Sequence, residues 1–111
     1  MTGGAVSPEE RYATLADTLL ASPEVGLSEK RGFGSSALWT SGKIFVMLVR
    51  GELVVKLPRQ RVDALILAGK GRRFDPGPGR AMKEWFTIEP GYEEEWLPLA
   101  TEALEFVSSR R

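Results

Sequence analysis

Chemistry in this chain would have to come from carboxylates and lysines. None of its 111 residues is histidine or cysteine. That excludes an imidazole base, a thiolate nucleophile, a disulfide and the usual nitrogen- or sulfur-rich zinc site, and leaves only oxygen ligands for a metal. General acid–base catalysis needs two polar groups held together with displaced pKa values. The carboxylates that strands would organise are Glu52 and Glu89, with Glu29 just ahead of the first strand. Glu52 is read as part of a hairpin turn, and Glu84 can pair with Lys83 or Arg80 at the mouth of a strand. Lys56 or Lys83 would serve as a base only if buried. No serine or threonine has a histidine to activate it, so the expectation is no catalytic residue, no cofactor-binding residue and no metal site.

Two glycine clusters invite a phosphate or nucleotide reading, and neither has the required context. Gly69-Lys70-Gly71-Arg72-Arg73-Phe74 lacks a Ser or Thr after its lysine and follows a helical pattern, whereas a Walker loop follows a strand and opens a helix. It is read as a capping glycine and a surface loop that continues through Asp75-Pro76-Gly77-Pro78-Gly79. Gly32-Phe33-Gly34 lacks the third glycine and the preceding buried strand of a dinucleotide fingerprint.

Charge placement is the stronger feature. The chain has 15 basic and 15 acidic residues, yet segment 59–83 holds seven of the basic residues (Arg59, Arg61, Lys70, Arg72, Arg73, Arg80, Lys83) against Asp63 and Asp75. Segment 89–105 holds six glutamates and no base, so the zero total conceals a dipolar molecule. The basic segment could meet phosphates, with Trp85 or Phe74 available to stack on a base. The acidic segment would repel a long nucleic acid wherever it shares that face. Of the three tryptophans, Trp85 and Trp96 fall on core-facing stripes, while Trp39 precedes a turn and is expected to be partly exposed beside Phe33.

These residues must be positioned by the elements around them. Ser7-Pro8-Glu9-Glu10 supplies a capping hydroxyl, a first-turn proline and a glutamate that closes a capping box, and Tyr12, Leu15, Ala16, Leu19 and Leu20 follow as an apolar stripe. Residues 35–40, 43–50 and 53–57 read as three strands, joined by tight turns at Ser41-Gly42 and Gly51-Glu52, which short connections make antiparallel. Val62, Leu65 and Ile66 mark a second helix over 59–68, and residues 85–89 alternate as a fourth strand. Trp96, Leu99, Ala100, Ala103, Leu104 and Val107 form the stripe of a last helix, whose regular part begins near Leu97 so that Pro98 falls in its first turn. Residues 1–6 are expected to be a disordered tail and 7–109 a single domain. The predicted class is α/β (α+β): a two-layer arrangement in which helices pack on an antiparallel sheet of about four strands, in the order α-β-β-β-α-β-α.

An ordered set of motifs carries a resemblance over about residues 12–107. Lys30-Arg31-Gly32-Phe33-Gly34 leads into the sheet, Gly42-Lys43-Ile44-Phe45 opens a hairpin strand, Glu52-Leu53-Val54-Val55-Lys56 forms the next, and Gly79-Arg80-Ala81-Met82-Lys83-Glu84-Trp85 leads into the last strand. In this order they resemble the TfoX N-terminal domain family, within the wider group of YjbR/MmcQ-like proteins. The resemblance implies a curved antiparallel sheet with helices packed on it, a bacterial cytoplasmic protein and a regulatory or adaptor role; the family name comes from regulators of natural competence. The family has no catalytic set to carry over. Relative to its pattern, the loop at Phe74-Asp75-Pro76-Gly77-Pro78-Gly79 is richer in proline and glycine.

The expected function is therefore a small non-enzymatic domain working through protein–protein contacts, a second copy of itself among the candidate partners. The alternatives are a nucleic-acid-associated regulator using segment 59–83 and, behind it, a small carboxylate/lysine enzyme. The candidate interaction surface comprises Phe33, Trp39, Lys43, Lys56, Arg72, Arg73, Arg80, Lys83 and Trp85. No run of apolar residues is long enough to span a bilayer and no export signal is evident, so no membrane partner and a cytoplasmic location are expected.

Overall fold

The computed structural model describes residues 6–28, 37–75 and 82–109. Helix α1 (Pro8–Leu20) starts where the capping box requires: Ser7 Oγ accepts from the Glu10 N–H at 3.1 Å, and Glu10 Oε1 accepts from the Ser7 N–H at 3.1 Å. Two backbone donors that the helix cannot satisfy internally are thereby paired. The stripe of Tyr12, Leu15, Ala16 and Leu19 is buried.

Strands β1 (Val25–Ser28), β2 (Ala37–Thr40), β3 (Lys43–Val49) and β4 (Glu52–Lys56) follow. The β2–β3 turn places Ser41 and Gly42 at φ 54° and 77°, and the β3–β4 turn places Arg50 and Gly51 at 51° and 82°. Both central residues are left-handed in each, as in the hairpin turns whose twist matches that of the strands. The second turn therefore lies at Arg50-Gly51 and not at Gly51-Glu52, and Glu52 is the first residue of β4. Helix α2 (Arg59–Leu67) is followed by Gly69 at φ 77°, in the capping position expected of it. Strands β5 (Gly71–Phe74) and β6 (Met82–Ile88) come next, then a 3-10 turn (Glu93–Glu95) and helix α3 (Trp96–Ser108), with Pro98 in the first turn.

The α/β class is as expected, but among the described residues the sheet has six strands, all antiparallel, in the order β1-β2-β3-β4-β6-β5. The two additional strands are the edges. β1 holds four residues with a glycine among them, and β5 occupies the start of the segment read as a surface loop. The helices cover one face: α1 lies near β1, α3 crosses β3 and β4, and α2 covers β5 and β6. Apolar residues from all three helices and from the sheet join one core around Leu38, Phe45, Val46, Leu53, Val55, Leu57, Phe86 and Ile88. Each such side chain, fully buried, contributes roughly 1.5–3 kcal/mol. No described helix is long and apolar enough to cross a membrane.

One buried polar group stands out in this layer. Thr40 is 0% exposed and its Oγ1 has no hydrogen-bond partner. A desolvated, unpaired hydroxyl costs free energy that an isosteric methyl does not. Thr40→Val is therefore expected to raise stability by about 1 kcal/mol, read as a higher urea midpoint at unchanged slope.

Candidate interaction surface

The alternation along β4 and β6 sends Leu53, Val55, Phe86 and Ile88 to the helices and leaves Glu52, Val54, Lys56, Trp85, Thr87 and Glu89 on the opposite, outer face. Val54 and Thr87 are nonetheless buried, because Arg72 and Phe74 of β5 line the same small outer pocket. Phe74 is buried there and is not available to stack on a ligand.

The basic segment is largely neutralised within the molecule. Arg61 makes a bidentate pair with Glu102 of α3, Nε and a terminal nitrogen each donating at 2.9 Å. Lys70 Nζ donates to Glu95 Oε2 at 2.7 Å and lies 5.7 Å from the Tyr92 ring centre. Arg72 bridges Glu52 at 2.5 Å and Glu89 at 2.9 Å, and Arg73 pairs with Asp63 of α2. The hydrogen bonds that Arg61, Lys70 and Arg72 donate to Glu102, Glu95 and Glu52, respectively, push these cations above their ordinary pKa values, so they stay charged. The two carboxylates singled out for acid–base work, Glu52 and Glu89, are brought together, but on a guanidinium that holds both. Glutamates of the acidic segment thus face the basic one as partners. Among the described residues, Arg59 and Lys83 are the cations of the segment without an ion pair.

The candidate residues that remain fall into two places. The first surrounds Trp39, which is 38% exposed and pairs in register with Ile44, 41% exposed. A β-bulge at Leu38/Trp39 turns both outward. The indole lies over Gly26 of β1, where an added methyl would sit 3.2 Å from Trp39 Cε2. Lys43 stands next to Ile44 at the start of β3, exposed and without an ion pair among the described residues. Phe33 lies outside the described residues.

The second place surrounds Trp85. Core-facing burial was expected for it, but Phe86 and Ile88 take the core positions of β6 and Trp85 is half-buried on the outer face. Lys56 pairs with it in register, its Nζ 5.3 Å from the ring centre, and also lies 3.9 Å from Glu84 Oε1. Lys56, Arg59, Met82, Lys83, Glu84 and Trp85 line an open groove of about 400 Å³. Trp96, by contrast, is in the core as its stripe requires, with the Arg11 guanidinium 5.8 Å from its ring centre. Arg80 lies outside the described residues, and Arg72 and Arg73 are held in their ion pairs.

Sequence reasoning overlooked Ile44 and Met82 as surface residues and counted Arg59 only as part of the basic segment. Ile44 and Phe45 read as one apolar run; which of them faces outward is set by the register with β2. Arg59 was one cation among seven, and its freedom follows from where the carboxylates lie. Among the described residues, no group of acidic side chains is arranged to hold a metal ion.

Comparison with known proteins finds no matching family model, no matching curated protein and no matching solved structure.

Proposed function

We propose that this chain is a non-catalytic regulatory or adaptor domain of the cytoplasm that acts through protein contacts, as its motif resemblance to the TfoX N-terminal domain family implies. The observation that carries the reading is the outward-facing pair Trp39 and Ile44, two large apolar side chains paired across adjacent strands. Exposed tryptophan is the residue type most enriched at energetically dominant positions of interfaces. Lys43 is paired with the buried Thr40 and so leaves the sheet on the other side from the pair, and the fitting partner is a protein surface that offers an apolar side chain to the indole. The face of the sheet serves better than its β5 edge, which is short and carries Arg72 and Arg73, features that oppose strand addition.

A photoreactive phenylalanine analogue at position 44, in cells that produce the chain, is expected to give one discrete protein adduct. With that partner purified, Trp39→Ala should weaken binding by about 30-fold. Arg50→Glu, at the far end of β3, should leave it unchanged. A self-adduct would identify the partner as a second copy. Binding insensitive to Trp39→Ala would overturn the reading.

A further inference from the structure

We propose that the groove at Trp85 is a second, separate site that takes single-stranded nucleic acid, one base against the indole and the adjoining phosphates on Lys56, Arg59 and Lys83. The charge balance of the segment leads there. Arg61, Lys70, Arg72 and Arg73 are each engaged by a carboxylate, which removes them as an extended phosphate surface. The cations left without an ion pair among the described residues of the segment, Arg59 and Lys83, both line this one groove. Lys56 joins them from β4, and among the described residues that line the groove the carboxylate is Glu84, so three cations face one anion there. Three elements converge to build this excess: β4 brings Lys56, the first turn of α2 brings Arg59, and β6 brings Lys83.

The aromatic group decides between kinds of anion. An acidic peptide would satisfy the cations but offers a planar ring only where it happens to carry an aromatic residue, whereas every nucleobase presents a stacking face. Trp85 and the exposed Met82 side chain both line the groove, with Lys56 Nζ 5.3 Å from the ring centre, so a base that enters meets an aromatic and a cation together. A volume of about 400 Å³ fits within the range of clefts that hold small aromatic ligands. The groove is open along the surface, which suits a strand passing through it. A duplex has its bases already stacked and would need phosphate contacts along its length, where this surface has neutralised its cations.

The test uses the whole chain labelled with nitrogen-15, following the tryptophan indole N–H signals, with those of Trp39 and Trp85 assigned by Trp39→Phe and Trp85→Phe. Titration with a deoxyadenosine octamer at low salt is expected to shift the Trp85 indole and leave the Trp39 and Trp96 indoles in place. With two to three phosphates contacted, raising salt from about 50 to 200 mM should weaken binding by about tenfold. Arg59→Glu with Lys83→Glu, both at exposed positions, should reduce affinity at least tenfold with an otherwise native amide spectrum, and Arg50→Glu should not. Trp85→Phe should retain binding and Trp85→Leu should lose it. An unmoved Trp85 indole, equal binding of an octaglutamate peptide, or equal binding of adenosine monophosphate would each overturn the proposal. Because the Trp39 surface shares none of these residues, either site can fail without the other.

Discussion

Gly71→Ala is expected to destabilise the protein by about 3 kcal/mol or more, a large effect for a single methyl group. Gly71 opens β5 opposite Ile88, at a point where β5 and β6 approach so closely that the added carbon would overlap the Thr87 carbonyl oxygen and come within 2.5 Å of Phe86 Cζ. Neither neighbour can yield: one is backbone in the β4–β6 ladder, and the other is a fully buried ring. Relief requires β5 to move outward, which would expose Val54 and Thr87 and loosen Arg72 from Glu52 and Glu89. Urea unfolding should show the loss, and amide exchange should rise first in β5 and β6. Gly42→Ala is the matched control. Its methyl would meet open space, so only the left-handed φ of 77° opposes it, at about 1 kcal/mol. A Gly71→Ala loss no larger than that of Gly42→Ala would show that β5 is not held where described.

Phe45→Ala is expected to cost about 3–5 kcal/mol, against the 5–15 kcal/mol by which small domains are ordinarily stable. Phe45 is among the largest fully buried side chains. It sits at the register shift between β2 and β3, where Leu38 pairs with Val46 and Trp39 with Ile44, so Phe45 is the additional residue. The bulge lets Phe45 and Val46 both join the core while Ile44 points outward. Truncation removes the ring's burial and leaves a void beneath α3, and the neighbours close it only in part. The urea midpoint should fall sharply at constant slope. A loss below about 1 kcal/mol would mean that the bulge relaxes and Ile44 turns inward to fill the void, which the exposure of its backbone amides to exchange would reveal.

Much of this fold was written in local patterns. The capping box at Ser7 and Glu10, the apolar stripes of α1 and α3, the left-handed turn at Ser41-Gly42 and the first-turn placement of Pro98 all depend on residues a few positions apart. Interactions at that range are set by the backbone periodicity itself, so residue type and spacing suffice to read them. The same holds for the absence of histidine and cysteine chemistry, which is a matter of composition.

The tertiary structure decided everything that depends on what lies across the sheet or on the far side of the core. β1 and β5 are short and glycine-containing, with no alternation of their own, and exist as strands because β2 and β6 offer them hydrogen-bonding edges. Trp85 and Phe86 are adjacent aromatics, and only the placement of the helices decided which one faces the core. The charge pattern shows the difference most clearly. Seven basic residues in one segment look like a single surface, but Glu52, Glu89, Glu95 and Glu102 approach from elsewhere in the chain. Coulomb attraction acts through space, not along the chain. Folding therefore paired Arg61, Lys70, Arg72 and Arg73 with carboxylates and, among the described residues of the segment, left Arg59 and Lys83 beside Trp85.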